Sequence, residues 1–201
     1  MIIKREKELQ LLTEMFISFG FNDRNASLIS KTLVDADCRG IYSHGIQRLT
    51  MYERKLNLGF INPNADTKIL RSTRNCIVVD AQHVMGQLAS IKVVNQLIKV
   101  CKSNGIAIAT VRNSNHFGAA GYYARMASRK NLIGFAATST NPLLVPPGAT
   151  EPFLGSNPFA ISFPLENSDF TFDGATSTVS LGKIEVLQKL DKDIPGNWAV
   201  D

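Results

Sequence analysis

Residues Ala107–Ala124 read AIATVRNSNHFGAAGYYA. A short apolar run ends at Val111, the polar stretch RNSNHFG follows, and small residues with paired tyrosines come next. The apolar run IAIATV (106–111) reads as a buried strand and Gly118–Arg129 as a helix. His116 therefore stands at a strand-to-helix junction, where α/β sheets commonly meet ligands. Gly118 and Gly121 permit close backbone approach there. The same histidine is equally readable as a residue that satisfies loop hydrogen bonds.

The pattern extends on both sides. CIVVDA (76–81) reads as a strand, Ala89–Cys101 as an amphipathic helix closing near Asn104–Gly105, and LIGFAAT (132–138) as another strand. FAISFPL (159–165) and FTFDGA (170–175) follow at hairpin separation, with Ser177 or Thr178 expected to cap a last helix through about Lys189. The first third is helical instead. Leu9, Leu12, Phe16 and Phe19 recur at helical spacing before Gly20, and Asn22 or Asp23 can cap a second helix that buries Ala26, Ile29, Leu33 and Ala36 and stops at Gly40. Ser43 is expected to cap a third helix running to Gly59. The fold class is thus α/β, with a helical N-terminal lobe (1–65) and a mixed-sheet α/β lobe (66–201).

Between Asn131 and Leu165 the only charge is Glu151, and TNPLLVPPGATEPFLGSNP (140–158) is long and rich in proline and glycine. Such loops are often functional, and one this uncharged is expected to be covered by a ligand, a subunit or further chain.

Bulk composition narrows the class. The 201 residues carry a net charge of +5, spread over Lys4, Arg5 and Lys7, Arg71 and Arg74, and Lys183, Lys189 and Lys192, so nothing resembles a nucleic-acid footprint. The three cysteines, Cys38, Cys76 and Cys101, match neither a disulfide framework nor a metal site and imply reduced thiols in a cytoplasmic protein. MIIKREKEL lacks the apolar region of a signal peptide, and the uncharged Asn131–Thr150 contains three prolines, so no membrane span is expected.

Three constellations can carry chemistry. In YSHGIQRL, a cap at Ser43 would put His44 at the first helical position and Arg48 one turn later on the same face. Arg48 could then clamp a carboxylate and His44 exchange a proton near neutral pH; the same spacing also describes a solvated helix start. The second is RNSNHFG with His116. The third is FDGATS, where Asp173 can bond a ribose hydroxyl or simply hold a turn, and Gly174, Ala175, Thr176 and Ser177 can cradle a phosphate at the start of a helix. GxGxxG, P-loop, HExxH and GxSxG patterns are absent. His83 reads as an exposed turn residue, Tyr122 and Tyr123 as packing, and Trp198 as the anchor of a terminal loop.

Taken in order, DCRGIYSHGIQRLTMYERKLNLGFINPNA, RNSNHFGAAGYYARMA, PPGATEPFLGSNPFAISFP, FDGATSTVSLGK and IPGNWAVD resemble the malate/L-lactate/ureidoglycolate dehydrogenase family, which includes sulfolactate dehydrogenase and diketogulonate reductase. The resemblance runs from about residue 5 to the last residue. It implies a non-Rossmann nicotinamide-binding fold, NAD or NADP as cofactor, a small 2-oxo or 2-hydroxy acid as substrate, hydride transfer between them, and a homodimer or larger assembly. By motif, His44 and His116 are implied as acid/base residues, Ser43 as the group orienting His44, and Arg48 as the carboxylate holder. Lys183 is implied near the site, and Thr140, Asn157 and Asp173–Thr176 are implied cofactor contacts. No metal is implied.

The family's members continue beyond WAVD, so a C-terminal part is expected to be missing here and the 131–165 stretch to face water. Leu181 of SLGK stands where arginine is common in the family. Two other readings compete: a non-catalytic remnant or split half that only binds a partner chain, and a hydrolase using Ser43 and His44. Against the hydrolase, adjacent residues at a helix start are expected to point apart, and no acidic third member is visible.

Overall fold

Helix α1 (Arg5–Ser18) packs against α2 (Asp23–Cys38) through Leu12 and Phe16, both fully buried with Ala26, Ile29 and Leu33. The computed structural model describes residues 3–199; Met1, Ile2, Val200 and Asp201, the last two closing the IPGNWAVD motif, lie outside the described residues. The turn between the helices follows the expected chemistry. Gly20 takes φ +94°, and Asn22 Oδ1 accepts the Asn25 N–H at 2.9 Å. Phe16 sits edge-on to Phe19 and Phe21, each at 5.9 Å.

The third helix departs from expectation. Ser43 does not cap it. Tyr42–His44 and Ile46–Arg48 form two separate 3₁₀ turns, and α3 begins only at Leu49 and runs to Asn57. The cause lies on α2, where Asp37 Oδ2 captures the Ile46 N–H at 2.6 Å and holds the extended Gly45 junction against the helix. The core of α1–α3 then continues through Ile61 into Ala81, Val84, Met85, Leu88 and Ala89.

The first sheet has order β1-β2-β3, with β1 (Lys68–Ser72) antiparallel to β2 (Cys76–Asp80) and β2 parallel to β3 (Ile108–Arg112). Helix α4 (Gly86–Asn104) makes the parallel crossover, and Val93 and Leu97 cover Ile77 and Val79. Strand β1 has no signature in the sequence because all five of its residues are exposed and its register slips between Ile69 and Arg71.

The second sheet comprises β4 (Gly134–Ala137), β5 (Phe159–Pro164) and β6 (Asp169–Gly174), all antiparallel. The strand–helix alternation therefore makes two three-stranded sheets among the described residues, not one layer. Helix α5 (Ala120–Ser128) covers the inner face of this sheet with Ala120 and Ala124 against Ala160 and Ala136. The outer face carries the row Phe135–Ile161–Phe172 and the neighbouring pair Phe163–Phe170. Phe135 is 68%, Phe170 57% and Phe172 45% exposed. Helix α6 runs Leu181–Lys189; it is preceded by Ser180, so neither Ser177 nor Thr178 is its cap. Among the described residues no helix is long and apolar enough to cross a membrane.

Candidate active site

His44 ends the first 3₁₀ turn and His116 lies in the loop between β3 and α5. The fold stacks their rings, with centroids 5.5 Å apart and planes inclined by 17°. Each Nδ1 is engaged: His44 with Ser43 Oγ at 2.9 Å, and His116 with Tyr52 Oη at 2.7 Å. Arg48 stands beside them. Its Nε donates to Ser43 O at 2.5 Å and its Nη1 pairs with Glu185 of α6 at 2.8 Å. Ser43, His44, Arg48 and His116 thus converge, although the route differs from the expected one. His44 and Arg48 meet through two tight turns and not along one helix face.

The loop bearing His116 is fixed from behind. Asn115 Nδ2 reaches Phe60 O at 3.0 Å and His83 O at 3.1 Å. Gly86, opening α4, passes so close that a Cβ would lie 2.2 Å from Asn115 O and 2.6 Å from His116 O. Tyr52, with no exposed surface, accepts from Gln87 Nε2 at 2.7 Å. Asn115, Tyr52 and Gln87 are neighbours of this candidate site that the sequence reading missed. The available signals were a tyrosine on the buried stripe of α3, whose hydroxyl needs a partner, and a glutamine at the apolar start of α4.

Burial holds both imidazoles neutral. Desolvation, then the Arg48 charge, brings His44 down from its ordinary 6.5 to about 4. Desolvation, then His44, Arg48 and Lys55, brings His116 down to about 3. The expected titration of His44 near neutrality is thereby corrected for the free chain: removal from water and the Arg48 charge act in the same direction. Under the same corner, buried Glu8 of α1 is raised to about 7 by burial and by Asp37, whose own carboxyl is raised by burial.

The other expected residues fall in a second place. Thr140 N–H donates to Asn157 Oδ1 at 3.0 Å, Thr140 and Ser156 hydroxyls meet at 3.3 Å, and Thr176 gives its N–H to Ser156 O at 2.8 Å. Asn157 holds φ +33°. Asp173 Oδ2 accepts the Gly121 N–H at 2.7 Å, capping α5 from across the sheet. The expected Gly174–Ser177 cradle does not open a helix, since α6 starts at Leu181 and the Thr176 N–H is already committed. Ala175 lies between these groups on the same turn. Lys183 stands 4.9 Å over the Trp198 ring, which anchors the terminal segment to α6. Tyr122 and Tyr123 pack, the latter donating to Phe117 O, and His83 is an exposed turn residue at φ +61°. Ser43 and His44 do point at one another, against expectation. No carboxylate accompanies His44 among the hydrogen bonds of the described residues, so the dyad lacks the third group of a hydrolase.

Residues 3–201 match the malate/L-lactate dehydrogenase family. The chain belongs to that family. L-sulfolactate dehydrogenase of Methanocaldococcus jannaschii is 40% identical over 202 residues, which span 100% of this chain and 58% of that protein. Ureidoglycolate dehydrogenase (NAD(+)) of Escherichia coli O157:H7 is 32% identical over 202 residues, spanning 100% and 58%. The solved structure of malate dehydrogenase from Pyrococcus horikoshii OT3 superposes with a TM-score of 0.90 at 34% identity, over 92% of this chain and 53% of that one. This member of the malate/L-lactate dehydrogenase family thus spans a little over half the length of the relatives it matches.

Proposed function

We propose that the chain acts as an NAD(P)-dependent oxidoreductase that interconverts a 2-oxo acid and a 2-hydroxy acid such as malate, lactate, sulfolactate or ureidoglycolate. The observation that carries this is the stacked His44–His116 pair beside Arg48. It combines a carboxylate binder with proton-exchanging groups, the two functions a 2-oxo acid demands. Residues 1–65 supply Ser43, His44 and Arg48, and residues 66–201 supply His116, Lys183 and the nucleotide contacts.

The residues present fit a nicotinamide nucleotide. Thr140, Asn157 and Thr176 gather hydroxyl and amide groups on loops at one end of the second sheet, and with its Oδ1 on Thr140 N–H the Asn157 amide keeps its NH₂ to donate. Asp173, Gly174 and Ala175 shape that turn. Bound there, the nicotinamide would supply hydride to the 2-oxo carbon, or accept it from the hydroxy acid. The chain's own residues do the rest. Arg48, once Glu185 releases it, fixes the carboxylate. Both imidazoles start neutral, held so first by burial and then by nearby positive charge. One imidazole then hands a proton to the developing alkoxide, or takes it from the hydroxyl in reverse. Such proton transfer contributes about 10²–10⁴-fold. Lys183, at the start of α6, adds positive charge on this side of the corner.

Either NAD or NADP is consistent with this reading, and the similarity to ureidoglycolate dehydrogenase (NAD(+)) favours NAD. A cytoplasmic location is supported by the free thiols of Cys38, Cys76 and Cys101, and a homodimer by the extent of exposed apolar side chains. The decisive experiment is a fluorescence titration of NADH and then NADPH, repeated with Asn157→Ala. Asp173→Ala is the wrong probe because it also removes the α5 cap. Saturable binding weakened by Asn157→Ala supports the reading; no binding by a folded chain overturns it for these residues alone.

A second reading is favoured by the outer face of β4–β6. Its exposed Phe135, Phe170 and Phe172 form an apolar surface of the kind that partners cover. On this reading the chain is a non-catalytic form or split half whose task is to bind a partner chain. Co-expression with the C-terminal part of a relative, giving a stable complex lost on Phe135→Ser, supports it. A monomeric chain that ignores that partner overturns it.

A further inference from the structure

The proton inventory behind His116 assigns the two ends of its ring. Tyr52 Oη lies 2.7 Å from His116 Nδ1 and 2.7 Å from Gln87 Nε2, and both Tyr52 and Gln87 are completely buried. The Gln87 amide faces the phenol with Nε2 and leaves Oε1 buried without a partner, and an amide nitrogen only donates, so Gln87 gives a hydrogen to the phenol oxygen. The phenol has one hydrogen of its own, and the other neighbour is Nδ1. Tyr52 therefore donates to His116, whose Nδ1 carries a lone pair and whose ring proton sits on Nε2, on the far side of the ring from Tyr52. Protonating His116 would put hydrogens on both sides of the Tyr52–His116 contact and strand the phenol proton without an acceptor.

We infer that Tyr52 and Gln87 are positioning residues that lock neutral His116 as the Nε2–H tautomer, so that it presents a hydrogen-bond donor, not a base, to the substrate oxygen. This rests on the dehydrogenase reading for its use, but not for its geometry. It divides the labour between the histidines. His116 polarises the 2-oxo oxygen through Nε2–H. Proton exchange falls to His44, whose Nδ1 can donate to Ser43 Oγ and leave Nε2 as the acceptor. The groups that bear on His116 are His44 and Arg48 from the 3₁₀ turns, Tyr52 and Lys55 from α3, and neutral Gln87 from α4; the charged and titratable ones among them oppose or ignore a second proton on the ring.

The test uses the full chain without nicotinamide or substrate, labelled with ¹⁵N-histidine. Ring-nitrogen shifts should show His116 as Nε2–H and unchanged between pH 5 and 8. Gln87→Glu should reverse the relay, because a carboxylate accepts from the phenol and turns Tyr52 into an acceptor. His116 should then move to Nδ1–H and begin to titrate at least tenfold more readily, a rise of one pH unit or more. Tyr52→Phe, which keeps the packing volume, should leave a mixture of tautomers. A wild-type His116 bearing its proton on Nδ1 overturns the inference outright. So does a folded Gln87→Glu chain whose His116 keeps its tautomer and titration. Because the readout needs no turnover, a chain that shows the tautomer yet binds no NADH or pyruvate sinks the dehydrogenase reading alone.

Discussion

The histidine corner and the Thr140–Asn157–Thr176 loops are built by opposite means. In the corner, α2, the 3₁₀ turns, α3, α4 and the β3–α5 loop each contribute a buried or half-buried group, and every ring nitrogen facing inward has a partner. In the loops, exposed and half-buried polar groups pair with one another around the buried Gly155. On the proposed function, a corner that must hold a catalytic geometry to a fraction of an ångström is held by packing, whereas loops that receive a large cofactor can be ordered by it.

The largest test of that contrast is Arg48→Ala. Removing one partner of a desolvated charge pair costs about 2–5 kcal/mol, or roughly 30- to several-thousand-fold in affinity. Calorimetry with pyruvate or oxaloacetate should lose its signal while NADH binding stays within twofold. Equal losses for both ligands would show that corner and loops are one unit. Next in size is Gly86→Ala. Its Cβ would run into the backbone oxygens of Asn115 and His116, which cannot swing away, at a cost of about 1–3 kcal/mol. Thr176→Ala, in the loops, removes one exposed hydroxyl bond to Ser156 O and should stay within about 0.5 kcal/mol. Urea unfolding measures both, and similar values would erase the distinction between rigid and open regions.

The smallest effect separates two parts of the corner itself. His44 and His116 have folded-state pKa values depressed from 6.5 to about 4 and about 3, so the unfolded chain binds more protons below 6.5. Their contribution is present above pH 6.5 and is lost as pH falls through that window. Glu8, raised from 4.5 to about 7, works the other way: its contribution is present below 4.5 and is lost as pH rises toward 7. Glu8→Gln should therefore remove a loss of stability of about 1 kcal/mol between pH 4.5 and 7 and leave the slope below pH 4.5 unchanged in thermal denaturation. A change on the acid side instead would mean that Glu8 and the histidines titrate together.

What the sequence disclosed follows the same division. The helices α1 and α2 were legible because Leu12, Phe16, Ala26, Ile29 and Leu33 keep one period. The convergence of His44 with His116 came from motif resemblance, since their separation along the chain carries no geometric information. The turns around Gly45 were misjudged because Asp37, eight residues earlier, takes the N–H that a helix would have left to Ser43. Strand β1 lacks any alternation, and the split into two sheets is decided by which edges pair. Tyr52, Gln87 and His116 join across 35 and 64 residues, where no local pattern reaches.

Glu185 makes the empty corner self-competing. Its carboxylate, carried on α6, already holds Arg48 at 2.8 Å, and Gly182 lets the helix come so near that a Cβ there would lie 2.1 Å from the guanidinium. On the proposed function, an incoming acid must take Arg48 from an acid that is tethered in place. Its apparent affinity is then a difference between two similar bonds, weakened by the fraction of chains in which the tether has let go.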